Sequence, residues 1–398
     1  MRNEKEKIYE FWLHNLTGVG DRTIEKLLAV FGSAEQIYRA PAKDLEQVIV
    51  KKEQLEEILL FRKKWEPEKE FDRLLQKKIS FYTLEDAEYP ERIRKLVHPP
   101  FGIYCRGKMP PENKPAVAVI GARECSEYGI CMAEAFGKAM AMAGVPVISG
   151  MARGIDGIGQ QAALSAEGQT WAVLGCGADI CYPASNRSLY DRILDTGGGI
   201  LSVVPPGTKP IKRLFPERNR IVAGLCDVLL VVEARQKSGT WITVDMALEQ
   251  GKSVYAIPGR LTDRLSDGCN MLIRQGAGIA LSPEDLLAEL RVMWNPSRNS
   301  CEIEKTETNQ DKEKKITEGN SEEGNEITLV NCDENSKITY VVSRYLDFLP
   351  KSADQIWEEM LKENVGKTLP EVFAELIDAC LNGKAKQVSG SYFVKTGV

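Results

Sequence analysis

Only two histidines, His14 and His98, occur in 398 residues. A catalytic triad or a zinc centre built on imidazole has almost nothing to draw on. Cys-x-x-Cys is also absent; the closest cysteines are Cys125/Cys131 and Cys176/Cys181. Ten cysteines at this length are too sparse for a disulfide framework and read as reduced, small apolar residues. No apolar run approaches the ~18 residues of a membrane span. The charged start Met1-Arg2-Asn3-Glu4-Lys5 leads into an amphipathic segment, not a signal peptide. The expectation is a cytoplasmic protein with no membrane partner, no metal and no cofactor.

Positive charge is in slight deficit, with 52 Lys+Arg against 57 Asp+Glu for a formal charge of −5. Whole-chain acidity ordinarily argues against a nucleic-acid partner. Residues 296–336, however, hold 5 basic and 11 acidic residues, a local −6, so the rest of the chain carries +1. That stretch has no aromatic and is dominated by Asn, Glu and Lys from Asn309 to Asn325. It cannot bury enough surface to offset ordering and reads as an acidic disordered linker.

At 43% apolar and 27% charged over the whole chain, a soluble multidomain protein is expected. Residues 1–78 read as helices, with Leu13, Leu16, Ile24, Leu27, Leu28 and Phe31 at helical spacing. Leu16-Thr17-Gly18-Val19-Gly20 has the form of a helix-hairpin-helix turn, whose backbone N–H groups can hold a phosphate. A plain junction needing glycine is the equally open alternative. From Pro115 the pattern becomes strand–turn–helix. Apolar runs lie at Ala116–Ile120, Val145–Ile148, Trp171–Leu174, Ile200–Val204, Val228–Val232 and Val254–Ile257. Between them, Ser126–Ala143, Ile155–Glu167 and Thr240–Gln250 read as helices, and Ser282-Pro283 caps a last one. This predicts an α/β fold, an extended Rossmann-like parallel sheet over 79–295 covered on both faces. Residues 337–398 read as three helices (Ile338–Phe348, Ala353–Leu361, Leu369–Leu381) and a hairpin, the order of a C-terminal winged helix.

In such a sheet, ligands bind beyond the carboxyl ends of the strands. There the chain places Gly121-Ala122-Arg123, Ser149-Gly150-Met151-Ala152-Arg153-Gly154-Ile155-Asp156, Gly175-Cys176-Gly177, Lys212 through Arg220, Ser238-Gly239-Thr240 and Pro258-Gly259-Arg260. Glycines admit a phosphate to backbone N–H groups, helix N-termini add a positive end, and arginines supply bidentate forks. Recurrence on consecutive strand ends, with Arg123, Arg153, Arg218 and Arg220, favours an anionic ligand over a series of tight turns.

Val117 to about Leu281 closely resembles the DNA-processing protein A (DprA/Smf) family. The resemblance is carried by Val119-Ile120-Gly121-Ala122-Arg123, Ser149 through Asp156, Phe215-Pro216-Glu217-Arg218-Asn219-Arg220-Ile221-Val222-Ala223-Gly224, Ser238-Gly239-Thr240, Ala256-Ile257-Pro258-Gly259 and Leu272 through Ala277, in order and spacing. It implies a single-stranded-DNA-binding protein, not an enzyme, that acts as a homodimer. It also implies recruitment of the RecA recombinase and its loading onto incoming strands in natural transformation. The helical N-terminal region (SAM-like or helix-hairpin-helix) and the winged helix fit that family's layout. The DNA-contacting positions it implies are Gly121, Arg123, Ser149, Gly150, Arg153, Gly154, Lys212, Phe215, Arg218, Asn219, Arg220, Ser238 and Gly239. Three places depart from it: Ala122 stands where Ser is usual, Gly159-Gln160 where Ala-His is common, and Ser202 lacks the following Glu.

Competing readings attach to several of these residues. Phe215 is a stacking platform for a base or a core anchor for its loop. Arg218 and Arg220 fall on different helix faces, so one faces DNA while the other pairs with an acid such as Glu233 or Asp156, and Arg220 is the more structural. Asp156 reads as a helix-start residue favoured by the dipole. Trp171 and Trp241 read as core. Paired nuclease carboxylates are not apparent. Residues 337–398 balance 8 basic against 8 acidic, and Glu371, Glu375 and Asp378 on one helix favour protein over DNA contact. The rival reading is a phosphoribohydrolase-like nucleotide-processing enzyme on the strength of Ser238-Gly239-Thr240. The next residues, Trp241-Ile242-Thr243, supply no acid or base. A dinucleotide oxidoreductase is weaker, since Gly175-Cys176-Gly177 lacks the third glycine.

Overall fold

Strand-length apolar runs bounded by glycine become the centre of a nine-stranded sheet in the computed structural model, which describes residues 4–49, 51–294, 341–346, 351–363, 365–382, 384–389 and 392–395. The strands are β1 Ile79–Thr83, β2 Gly102–Gly107, β3 Val117–Ile120, β4 Val147–Ser149, β5 Thr170–Val173, β6 Gly199–Ser202, β7 Val228–Val231, β8 Ser253–Ala256 and β9 Gly278–Ile279. Their order is β1-β2-β6-β5-β4-β3-β7-β8-β9. From β6 to β9 every pairing is parallel. β1 pairs antiparallel with β2, and β2 with β6. The expected parallel sheet is therefore mixed at one edge.

Each of β3, β4, β5, β6 and β7 is buried along its whole length, which is why β3 and β7 read as unbroken apolar runs and the others depart from one only at their ends, at Ser149, Thr170, Gly199 and Ser202. Alternate residues feed two cores. Tyr104, Ala172 and Ile200 pack on one side with Trp12, Leu13, Ile24 and Leu27 of the N-terminal helices. Cys105, Trp171, Val173 and Leu201 pack on the other with Ile221, Val222 and Leu225. Trp171 is core as expected and donates its indole N–H to the Lys108 carbonyl at 2.7 Å. Trp241 packs at the margin of the same core.

Helices Glu127–Met142, Ile155–Ser165, Arg187–Asp195, Leu214–Leu225, Thr240–Glu249, Asp267–Arg274 and Pro283–Met293 connect or follow the strands. Their starts follow local chemistry. Ser126 caps the first through the Gly129 N–H, and Ser282 accepts from the Asp285 N–H with Pro283 in the first turn. The segment Glu4–Gln76 is helical as read, and belongs with the sheet to one compact unit, Met1–Leu290. Its glycine turn holds Gly18 at φ +76°, with the Gly18 carbonyl accepting from Gln54.

The second unit, Arg291–Val398, has its own core of Leu346, Ile356, Met360, Val372, Leu376 and Phe393. Capping boxes at Ser352/Gln355 and Thr368/Glu371 start helices Ala353–Lys362 and Leu369–Leu381. Strands Ala385–Ser389 and Tyr392–Lys395 form the expected hairpin, joined by Lys351–Ser352 as a third strand. Of the expected first helix, 341–346 is described, with a 3₁₀ turn at Val341–Arg344. The acidic segment 296–336 lies outside the described residues.

Candidate functional site

The chain runs from β3 through β6 in one direction across the sheet and from β7 through β9 in the other, so the order turns between β3 and β7. At their carboxyl ends lies a cleft of about 510 Å³. Its walls are Gly121–Glu124 after β3, Gly150, Ala152 and Asp156 after β4, and Lys212, Phe215, Arg218 and Asn219 at the start of helix Leu214–Leu225. Arg235 and Ser238–Thr240 after β7 close it.

The loop after β3 is fixed at several points. The Ala122 N–H donates to the Glu233 carbonyl at 2.8 Å, and the Ala122 carbonyl accepts from the Ile155 N–H at 3.1 Å. A side chain at Gly121 would meet that Glu233 carbonyl and Ile155, both at 2.8 Å. Gly154, at φ +75°, brings its backbone close against Ala122 and Arg123. The Glu233 carboxylate is fully buried and takes the Ser126 N–H and hydroxyl, anchoring the helix that follows. Arg123 is thus an exposed cation on a rigid turn.

Beneath it, the Arg218 guanidinium is almost wholly buried in the space a side chain at Gly150 would occupy. It stands 3.9 Å from the Asp156 carboxylate and 3.4 Å from the Val173 carbonyl. Burial pushes the Asp156 carboxyl up from its ordinary value, opposed by Arg218. Burial likewise pushes Arg218 down, opposed by Asp156. The half-buried Phe215 ring has the Arg123 guanidinium 5.9 Å and the Arg218 guanidinium 5.6 Å from its centroid. Arg218 Nε and Ser238 Oγ are both buried at this cleft without a protein partner among the described residues. Together these groups offer an anion three exposed cations (Arg123, Lys212 and Arg235) and a buried one, Arg218, beside an aromatic face.

Of the residues expected to bind, Gly121, Arg123, Gly150, Lys212, Phe215, Arg218, Asn219, Ser238 and Gly239 line the cleft together. Four do not. The buried Ser149 hydroxyl donates to the Val119 carbonyl at 2.6 Å and ties β4 to β3. Gly154 shapes the turn, and Arg153 is exposed outside the lining. Arg220 turns to the opposite side of its helix, bonding Glu217 at 2.6 Å and the Val97 and His98 carbonyls. There it borders a second depression with Asp21 of helix Asp21–Phe31. The acid expected to pair with it is therefore corrected: Asp156 faces Arg218, Glu217 holds Arg220, and Glu233 caps a helix.

Sequence reasoning missed Arg235 and Thr243 in the wall, and Asn186, which clamps the Met151 and Ala152 carbonyls at 3.0 and 3.2 Å. A signal for Arg235 existed in Arg235-Gln236-Lys237, a basic run between a strand and Ser238-Gly239. Asn186 carried none, since its loop lies far along the chain. Among the described residues, no group of three His, Cys, Asp or Glu could hold a metal ion, and no helix is long and apolar enough to cross a membrane.

The family described as "DNA recombination-mediator protein A" matches residues 80–291. The DNA processing protein DprA of Streptococcus pneumoniae is 42% identical over 214 residues, spanning 54% of this chain and 75% of that protein. Protein Smf of Synechocystis is 33% identical over 295 residues, 73% of this chain and 74% of that protein. The X-ray structure of DprA from S. pneumoniae superposes with a TM-score of 0.62 at 33% identity, covering 71% of this chain and 97% of that one. The chain belongs to the DNA recombination-mediator protein A family, the DprA/Smf proteins.

Proposed function

We propose that the cleft binds single-stranded DNA and that the protein acts without catalysis, handing the strand to the RecA recombinase during natural transformation. The observation that carries this is Phe215, an aromatic face with guanidinium groups of Arg123 and Arg218 both within 6 Å of its centroid, in a cleft rimmed by Lys212 and Arg235. Cations track a phosphate backbone and a ring accepts a base, but only a base free of a pairing strand can reach such a ring. A non-enzymatic role fits the state of the nearby acids. Asp156 is held against Arg218 and the Gly150 N–H, Glu233 is sealed under the β3 loop, and helix Thr240–Glu249 begins without a carboxylate.

RecA hand-over rests on the family's mediator role. The homodimer reading is supported by β9, which ends the sheet among the described residues; Ile279 within it and Leu281 two residues on are 49% and 73% exposed. The C-terminal unit, read as a winged helix, suits a protein partner better than DNA.

The test is a titration with single-stranded, duplex and mononucleotide ligands at two salt concentrations. Tight, salt-sensitive binding of the single strand alone is expected. Arg123→Ala with Lys212→Ala weakens it with little change in melting temperature. Unchanged affinity in the double variant overturns the cleft assignment, and base release from the mononucleotide favours the enzyme reading.

A further inference from the structure

A second cleft, of about 620 Å³, lies one loop away from the first. Leu265 lines the first and Ser266 the second; Glu124 lines the first and Ser126 the second. The two linings thus adjoin along the chain at residues 124–126 and 265–266. None of the residues that match the family's DNA-contacting positions lies in this cleft.

Its walls are preset. Gly259 bonds Asn270 in both directions, at 3.2 and 3.1 Å, and a side chain at Gly259 would collide with Ser266. Tyr128 is 41% exposed, yet its hydroxyl donates to the Pro258 carbonyl at 2.8 Å, so the ring is held in one place. A fixed ring loses little side-chain freedom when something stacks on it. Arg260, Glu127 and Asp263 complete the lining. One Asp263 oxygen accepts the Leu265 N–H at 3.0 Å, which orients the carboxylate.

The charge here differs from the first cleft: two carboxylates to one guanidinium. That balance disfavours a bare phosphate. It suits the edge of a nucleobase bearing an exocyclic amine, which donates to a carboxylate, as cytosine, adenine and guanine can. Thymine offers these carboxylates two carbonyl oxygens flanking a single N–H.

Resting on the single-strand reading above, we infer that this cleft is a second subsite of the same strand, where a following base stacks on Tyr128 and its amine is read by Asp263 or Glu127. The strand leaves the Phe215 cleft past Glu124, and its next unstacked base enters here, with Arg260 beside the exiting backbone. The protein consequently prefers amine-bearing bases to thymine at that position while remaining tolerant of sequence in the first cleft.

The experiment is fluorescence anisotropy on the full chain, using a short oligothymidine that occupies the first cleft and the same oligomer extended at either end by dC or by dT. Extension with dC is expected to tighten binding by roughly 5- to 150-fold, the range for stacking one base, and extension with dT by less. Tyr128→Ala abolishes that gain and leaves the short oligomer's affinity unchanged, while Tyr128→Phe, which keeps the ring but loses the hydroxyl bond that fixes it, restores part of it. Asp263→Asn keeps the turn bond to Leu265 and narrows the preference of dC over dT, with Glu127→Gln as its companion. An undiminished gain in Tyr128→Ala, or equal gains for dC and dT in the parent protein, overturns this inference alone. Failure of the short oligomer to bind overturns the single-strand reading and this one with it.

Discussion

Gly150→Ala is a one-carbon change that tests how the floor of the first cleft is built. A Cβ at that position would lie 1.2 Å from one terminal nitrogen of Arg218 and 2.3 Å from its central carbon. The guanidinium must leave, and the Asp156 carboxyl then faces no cation in a fully buried setting. Removing one partner of a buried pair costs ~3–5 kcal/mol. The separation of 3.9 Å without a hydrogen bond puts this pair at the low end, about 3 kcal/mol. For a unit of this size that is a fall of roughly 6 °C in melting temperature.

The deficit carries a pH signature. Burial already raises the Asp156 carboxyl above its ordinary value, with Arg218 opposing. The unfolded chain releases its proton first, so stability is lost as pH rises past the ordinary carboxylate range. With Arg218 displaced, the folded value climbs further. Gly150→Ala should therefore draw closest to the parent as pH falls below the ordinary aspartate range, where the carboxyl is protonated in the folded and the unfolded chain alike, and fall away from it as pH rises toward neutrality. Single-strand affinity should drop about tenfold as the cation beneath Phe215 is lost. Denaturant titrations across pH, with anisotropy at neutral pH, measure both. A deficit of equal size at every pH, or a parent-like melting temperature with parent-like binding, refutes this account of the floor.

Four cations line the cleft, so if each meets a phosphate the slope of log affinity on log salt should be about −3, and Arg123→Ala with Lys212→Ala should flatten it by roughly 1.4; an unaltered slope means those side chains do not meet the backbone. Phe215→Ala should lose ~1–3 kcal/mol of single-strand binding while Phe215→Tyr keeps most of it, and equal losses in the two would make the ring a loop anchor only. His14 is half-buried, packed against Phe81, Phe101 and Tyr104, and loss of solvent around the imidazole lowers it to about 4. The unfolded chain takes up that proton first, so stability should decline as pH falls from about 6.5 toward 4, by on the order of 3 kcal/mol, and His14→Gln should remove that slope in acid denaturation. Leu281→Glu should shift a dimer to monomer in light scattering without loss of fold, and an unchanged mass places the dimer contact elsewhere.

The central strands were legible because burial on both faces leaves no polar alternation to confuse them. Val117–Ile120 and Val228–Val231 contain nothing but apolar residues. β1 was not, since Ile79–Thr83 alternates buried and half-buried positions and includes Ser80 and Thr83. β2 lies between two stretches of loop, and β9 is only two residues long. Both are set by pairing with distant strands: register with β6 in one case and with β8 in the other. Long-range pairing leaves no local mark, and the antiparallel edge could not be inferred from residues 79–107 alone. Helix starts fared better because capping is a local bond, as Ser126 and Ser282 show.

The site was legible in residue types and less so in direction. Within Lys212–Arg220 the chain offers four cations and no turn signal that sorts them. The sorting comes from where helix Leu214–Leu225 begins. Starting at Leu214, positions 215, 218, 219 and 222 share one face at spacings of three and four, and all four line the cleft. Glu217 and Arg220, three apart on the other side, bond each other and border the second depression. Two arginines separated by a single residue thus divide between the floor of the cleft and a structural pair. Charge counting along a sequence treats them alike, but a rotation of about 100° per residue does not. The same rotation explains why the acids were mispaired: Asp156 approaches the cleft from β4 and meets whichever arginine points inward, and that is Arg218.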